Sequence, residues 1–228
     1  MKLGIIGGMG PEATNAFYAR IIARTKASCD QEHLPAVIFN DCTLPDRSAA
    51  LKSGNIGELL SRLQEDARAL QGLGCTTLAI PCNTSHALLP QIQAAVDIPI
   101  INMIDAAVAA LPAGSSYGLL ATEGTINAGL YHAAAEAKGL RLISPPAEVQ
   151  AEVTRLIYDI VKAGKSGNLA TDYFPIANAM RALGCAGVVL ACTELSVFHL
   201  RHNLPDCVDA MECLAEAAIR ACGFEVRP

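Results

Sequence analysis

Two stretches of this chain repeat each other at a spacing of 110 residues. Gly74-Cys-Thr-Thr-Leu-Ala-Ile-Pro-Cys82-Asn-Thr resembles Gly184-Cys-Ala-Gly-Val-Val-Leu-Ala-Cys192-Thr-Glu, so Cys75 matches Cys185 and Cys82 matches Cys192. Each copy reads as a helix end, a Gly-Cys turn, a short buried strand and a cysteine at the strand's carboxyl end. Two weaker echoes accompany it: Gly4-Ile-Ile-Gly-Gly-Met-Gly with Gly118-Leu-Leu-Ala-Thr-Glu-Gly, and Ile98–Asn102 with Leu204–Val208. Repeats of 20–50 residues would mean a solenoid. A repeat near half of a 228-residue chain means two similar α/β lobes instead.

Short apolar runs fit that frame. Leu3–Gly7, Ala36–Asn40, Thr76–Ile80, Ile98–Ile101, Tyr117–Leu120, Leu140–Ser144 and Gly187–Ala191 read as buried strands alternating with helices. That rhythm predicts a mostly parallel sheet in each lobe, flanked by helices. The clearest helical spacing is Ile56, Leu59, Leu60, Leu63, Ala67 and Leu70. Asn55 with Glu58 is its expected capping pair, and Gly72 and Gly74 its expected end. Helices are also expected over 105–111 and 210–222, each crossing to the other lobe. One lobe is therefore assigned to 1–103 plus 210–228 and carries Cys82; the other is 104–209 and carries Cys192. The active site is expected in the cleft between them.

The lobes need apolar surface, and the chain has it: hydrophobic residues are 52% and charged residues 17%, against about 25% charged in an average soluble chain. A chain so apolar is not disordered, and a subunit contact is expected. Lys and Arg number 17, Asp and Glu 22, with no basic run and only 4% aromatics, which sets nucleic-acid binding aside. No apolar run reaches the ~18 residues of a membrane helix, and the apolar start is too short for a signal peptide. A cytoplasmic protein without membrane partners is expected. Nine cysteines without a C-x-x-C pair fit neither a zinc nor a disulfide framework, so most read as small buried hydrophobes.

Cys82 and Cys192 differ from the rest by position. Ligands of parallel α/β sheets sit at the carboxyl ends of strands, and a repeat turns its equivalent loops toward one cleft. Two opposed thiols suit proton removal from a carbon acid on one face and return on the other, because a thiol pKa of ~8.5 supplies both base and acid near neutrality. The alternative for both is core filling, which is the reading adopted for Cys75 and Cys185. The polar Asn83-Thr84 and Thr193-Glu194 that follow Cys82 and Cys192 are expected to open helices whose N-termini attract thiolate or carboxylate. They also serve plain N-capping.

The motifs Gly7-Gly-Met-Gly-Pro-Glu-Ala-Thr14, Pro81-Cys-Asn-Thr-Ser-His86 and Ala191-Cys-Thr-Glu-Leu195 together resemble the signatures of the aspartate/glutamate racemase family, in its aspartate racemase branch. Glutamate racemases proper carry Gly-Cys-Thr-His at the second cysteine, where this chain has Glu194. The resemblance spans essentially the whole chain. It implies a cofactor-independent, metal-free enzyme with two pseudo-symmetric lobes that interconverts L- and D-aspartate or a close acidic amino acid, with Cys82 and Cys192 as the acid/base pair. It implies Met9 near the substrate carboxylate, and Asn83, Thr84, Thr193 and Glu194 around the α-carboxylate and ammonium; Thr122, in the echo of the Gly-rich loop, reads as a pocket wall. Arg47 and Lys162 match basic positions of the aspartate branch. Taken alone, Arg47 reads equally as a solvated partner of Asp46, and Lys162 as a lysine at a helix end.

Competing readings are weaker. The loop at 8–13 gives G-x-G-x-x-A rather than a full dinucleotide fingerprint, and Asp41 lies some ten residues beyond the usual ~20 for a ribose acid. Gly114-Ser-Ser116-Tyr-Gly118 precedes its strand, whereas a hydrolase elbow must follow one. His199 and His202 lack a third metal ligand at useful spacing. His86 reads either as tuning the Cys82 thiolate or as helix packing. Two alternatives for function stay open: a related carbon-acid enzyme (a racemase of another amino acid, a maleate-type isomerase or a decarboxylase), and a non-catalytic dicarboxylate-binding protein.

Overall fold

The computed structural model describes residues 1–228. The chain divides into two compact units, Met1–Met103 with Met211–Pro228, and Ile104–Ala210. In order, the elements are β1 (Leu3–Gly7), α1 (Pro11–Arg24), β2 (Ala36–Asn40), α2 (Arg47–Ser53), α3 (Gly57–Gly72), β3 (Thr77–Ala79), α4 (Leu89–Gln93), α5 (Met103–Ala109), β4 (Ser116–Ala121), α6 (Glu123–Asn127), α7 (Leu130–Glu136), β5 (Arg141–Ile143), α8 (Ala147–Arg155), α9 (Phe174–Ala182), β6 (Gly187–Ala191), α10 (Thr193–His202), β7 (Cys207–Asp209) and α11 (Ala210–Ala221). The first sheet runs β2-β1-β3 and the second β5-β4-β6-β7, and every strand pair is parallel. This is an α/β fold of two parallel sheets with flanking helices. No helix is long and apolar enough to cross a membrane.

The two sheets share one wiring. β1 and β4 are central, β2 and β5 flank one side, and β3 and β6 the other. Beyond β6 lies β7, but beyond β3 the expected strand at Ile98–Ile101 shrinks to a single parallel bridge between Leu78 and Ile100. Leu78 donates to the Pro99 carbonyl and accepts from Ile101. Pro99 has no N–H with which to extend a ladder.

The repeated Gly-Cys pairs are helix terminators. After α3, Gly74 lies at φ 79°; its N–H bonds to Gln71 O at 2.9 Å, and Cys75 N–H to Leu70 O at 3.2 Å. After α9, Gly184 lies at φ 84°, bonds Arg181 O at 2.9 Å, and Cys185 bonds Met180 O at 3.2 Å. Both are Schellman ends, in which glycine takes the left-handed residue and the next, apolar, residue folds back on the helix. Cys75 and Cys185 fill that apolar position and are buried. Burial raises both thiols above their ordinary value, as expected of packing rather than reactive cysteines.

The start of α3 departs from expectation. Ile56, not Asn55, is the residue before the first turn; its backbone is helical (φ −91°, ψ −8°) and no side chain caps the helix. A side-chain cap needs an extended backbone. Here the left-handed Gly54 ends α2 and turns the chain so tightly that Ile56 N–H bonds Gly54 O at 3.1 Å. Ile56 packs against the core instead.

The buried face of α3 carries Leu59, Leu63, Ala67 and Leu70, and also Asp66. One Asp66 oxygen is buried without a hydrogen-bond partner. The nearby Arg62 is committed to Asp41 and to the Thr43 carbonyl. Burial, then the charge of Asp41, pushes the Asp66 carboxyl up to about 6. The folded state therefore binds this proton more tightly than the unfolded chain does. The ionised carboxylate costs nothing below the unfolded value near 3.8 and its full penalty above about 6. Relative to wild type, Asp66→Asn should gain about 2 kcal/mol of stability on going from pH 4 to pH 8, read as the change in the gap between two denaturation curves. A gap constant across that range would show that Asp66 ionises freely.

Candidate active site

In the first unit, the candidate site residues lie in the loops that follow the strands. β1 ends at Gly7 and runs into the Gly-rich loop before α1. The loop is held by Thr14, whose hydroxyl accepts from Gly8 N–H at 2.9 Å and donates to Gly10 O at 3.0 Å. Gly8 is needed there: its φ is +92°, and a Cβ would stand 2.1 Å from the Asp41 carbonyl oxygen. Met9 is buried, and Ser85 Oγ donates to its sulfur at 3.2 Å. The loop is thus joined to the turn Thr84–Leu88 beyond Cys82. Pro11 opens α1 as expected. Asp41 is not presented as a ribose acid, because it bonds Thr43 and Arg62.

Cys82 lies three residues beyond β3 and is 6% exposed. The chain then enters a 3₁₀ turn, Thr84–Leu88, with Asn83 already helical (φ −59°) and making no side-chain cap. The expected capping by Asn83 fails for the same backbone reason as at α3. Asn83, Thr84 and Ser85 are all buried, so the Asn-Thr-Ser sequon is closed to glycosylation in the folded chain. His86 resolves toward a structural role: Nδ1 donates to the Cys82 carbonyl at 2.9 Å and Nε2 accepts Met103 N–H at 3.0 Å. Accepting an amide hydrogen requires a bare Nε2, which fixes the neutral Nδ1–H tautomer. The ring splints the backbone of the cysteine loop to the first residue of α5.

Arg47 opens α2, which packs against the Thr84–Leu88 turn. Its guanidinium donates to Pro45 O at 3.1 Å. Asp46 is not its partner; the Asp46 carboxylate caps α2 by accepting from Ala49 N–H at 2.8 Å.

In the second unit, Cys192 directly follows β6, is itself the N-cap residue of α10 and is 6% exposed. Its thiol donates to Glu194 Oε2 at 2.9 Å, and Thr193 Oγ1 donates to the same oxygen at 3.3 Å. The other Glu194 oxygen lies 3.8 Å from Lys162 Nζ. Lys162 caps a π-helical segment, Leu156–Val161, that packs against α10, and its ammonium sits 4.3 Å from the centre of the Tyr158 ring. The sequence reading of Lys162 as an ordinary helix end misses this wider turn. Wide turns recur at functional sites because an inserted residue re-aims the side chains around it.

A thiolate or a carboxylate is expected at the start of α10, and the surroundings of Cys192 disfavour the first. Burial comes first, then the Glu194 charge and side-chain hydrogen bond, and together they hold the Cys192 thiol well above its ordinary value; the Glu194 backbone N–H and then Lys162 oppose them without reversing the balance. The anion at this helix start is the Glu194 carboxylate.

Thr122 lies one residue past Ala121, which pairs with Ala191 in the β4–β6 register. Thr122 is thereby set beside the strand that ends in Cys192. It caps α6 by accepting from Thr125 N–H. Gln150 on α8, a residue that no motif singled out, donates to the Ala121 carbonyl at 3.0 Å. Tyr158 was legible in principle, as it lies four residues before Lys162 on one helical face.

A profile of the Asp/Glu/hydantoin racemase family matches residues 6–218. The chain belongs to this family. Among known proteins, the broad-specificity amino-acid racemase RacX of Bacillus subtilis (strain 168) is 25% identical over 224 residues, 95% of this chain and 96% of that one. Among solved structures, the aspartate racemase of Picrophilus torridus matches with a TM-score of 0.86 at 29% identity, covering 99% of this chain and 96% of that one. An aspartate racemase homologue from Pyrococcus horikoshii OT3 matches with a TM-score of 0.77 at 26% identity, covering 97% and 98%. This chain is an amino-acid racemase.

Within this racemase the competing motifs have structural uses. Ser116 begins β4, so the hydrolase-like pattern leads into a strand rather than out of one. His199 Nδ1 accepts from Leu204 N–H at 3.0 Å. His202 Nε2 donates to Ser166 O at 2.7 Å and its ring lies tilted against Phe198, with centroids 4.3 Å apart.

Proposed function

We propose that this racemase interconverts L- and D-aspartate, or a close acidic amino acid, by two-base proton transfer between Cys82 and Cys192, without a cofactor. The observation that carries the reading is the recurrence of one buried cysteine beyond corresponding strand ends, after β3 and after β6. The likeness to the Picrophilus torridus aspartate racemase over nearly the full length supports the substrate. The thiolate of one cysteine removes the α-proton, the electron pair stays on Cα beside the carboxylate, and the thiol of the other returns a proton to the opposite face. Buried surroundings and fixed dipoles favour such a charge-forming step. Asn83, Thr84, Thr193 and Glu194 are proposed to hold the α-carboxylate and ammonium, with Met9 near the substrate carboxylate and Thr122 as a pocket wall, and Arg47 and Lys162 to hold the second carboxylate. A cytoplasmic homodimer is part of the same reading.

A second reading is a racemase of wider range, favoured by the likeness to RacX, a broad-specificity enzyme. Proton NMR in D2O with reductant, offering L-aspartate, D-aspartate, L-glutamate and a panel of neutral amino acids, tests both. Loss of the α-proton signal with appearance of the other enantiomer, fastest for aspartate, is expected. Faster turnover of neutral substrates would favour the second reading. No exchange on any substrate would overturn both and leave an isomerase, a decarboxylase or a binding protein.

A further inference from the structure

The two cysteines have unlike neighbours. At Cys82, the hydrogen bond to His86 runs through the backbone carbonyl. At Cys192, the thiol itself is bonded, to a carboxylate two residues on at 2.9 Å. That carboxylate is buried and held at both oxygens: one also accepts from Thr193, and the other faces the Lys162 ammonium at 3.8 Å. Lys162 is in turn placed by the π-helical segment and by the Tyr158 ring. A group so tightly engaged is poorly placed to serve only as a substrate contact.

We propose that Glu194 is a positioning residue for Cys192: it accepts the thiol hydrogen, aims the S–H bond and keeps Cys192 the protonated member of the pair between turnovers, while Lys162 holds the carboxylate in place. This rests on the two-cysteine reading and deepens it. In the resting enzyme Cys82 then removes the α-proton. The Cα–H bond breaks, an S–H bond forms on Cys82, and the electron pair remains on Cα. The Cys192 S–H bond then breaks as a new Cα–H bond forms on the other face. Cys192 is left as a thiolate against the Glu194 carboxylate, two like charges that the Glu194 backbone N–H and Lys162 offset only in part, so this form is short-lived: Cys192 takes a proton from solvent and Cys82 releases one to it, which restores the resting pair. The charged groups facing the Cys192 thiol are Glu194 on its own helix and Lys162 on the packed π segment.

The test needs no turnover. The native full-length protein and its Glu194→Gln and Lys162→Met variants are treated with iodoacetamide from pH 6 to pH 10.5, and labelling of Cys192 and Cys82 is quantified by peptide mass spectrometry. Glu194→Gln should lower the Cys192 midpoint by at least about one pH unit, raising its labelling at pH 8 about tenfold. Lys162→Met should move the same midpoint upward. The Cys82 midpoint should stay fixed in both. Opposite shifts from two neighbours would not arise from general loosening of the fold, and Lys162→Met still decides the matter if Glu194→Gln does not fold. A Cys192 midpoint unmoved in either folded variant would overturn the proposal. The NMR assay on the same samples separates the two claims. Racemisation without the shifts removes the role of Glu194, and shifts without racemisation remove the reaction on which that role depends.

Discussion

Cys82→Ser and Cys192→Ser should each lower racemisation by at least about 10³-fold while the fold survives. The size reflects the loss of a positioned acid or base, which contributes about 10²–10⁴-fold. A serine hydroxyl also cannot supply an anion near neutrality. Both side chains are buried and nearly isosteric with serine, so circular dichroism and thermal midpoint should change little. The two variants should differ in a telling way. Each keeps one competent base, so each should still exchange the α-proton of one enantiomer with D2O without inverting it, and the enantiomer should be opposite in the two. Inversion at the wild-type rate in either variant would remove the two-base mechanism.

Gly8→Ala should be the most damaging small substitution in the first unit, costing about 3–5 kcal/mol. The left-handed backbone at φ +92° penalises any Cβ, and here the Cβ would also lie 2.1 Å from a carbonyl oxygen and 2.2 Å from its carbon. These are backbone atoms of Asp41 and cannot swing aside. The two costs are separable by comparison with Gly54, which has a similar conformation (φ +75°) and open space around it. Gly54→Ala should cost only the conformational term, about 1 kcal/mol. In a chain of this size that is about 2–4 °C in melting temperature, against about 10 °C for Gly8→Ala. Equal melting temperatures for the two variants would show that the loop relaxes away from Asp41. Because Met9 lies in the same loop, Gly8→Ala should also weaken substrate binding more than its stability cost suggests.

The sheet architecture could be read from the chain because buried parallel strands are short apolar runs bounded by helix signals. Leu3–Gly7 and Gly187–Ala191 are strands over those same residues, and so is Ala36–Asn40, but as the edge strand β2 it is not buried as expected: Ile38 and Phe39 are exposed because no strand covers its outer side. Gly74-Cys75 and Gly184-Cys185 end helices because a left-handed residue strongly selects glycine. Readings that depended on backbone dihedrals fared worse. Asn55 and Asn83 have the chemistry of caps, but Ile56 takes the position before α3 in place of Asn55, and both Ile56 and Asn83 have the helical backbone that side-chain capping excludes, which composition does not encode. Ile98–Ile101 has the apolar content of a strand, yet Pro99 limits its pairing to one bridge. Near Cys192, helix polarity was visible in the sequence, but the outcome depends on burial first and then on a carboxylate 2.9 Å from the thiol, neither of which composition encodes. The π segment that brings Lys162 there is mostly of modest helix propensity (Ile157, Tyr158, Asp159, Ile160 and Val161), which does not by itself specify a wider turn.

The carboxylate bonded to the Cys192 thiol has a consequence for what this racemase can and cannot favour. Mirror-image amino acids have equal free energies in an achiral solvent, so the final mixture is equimolar however unlike the two thiols are. The same equality forces kcat/KM to match in the two directions for the wild type and for every variant. The inequality of the cysteines therefore leaves the product ratio untouched. It governs which enantiomer meets an enzyme already in the matching protonation state, and so how kcat and KM divide between the forward and reverse reactions.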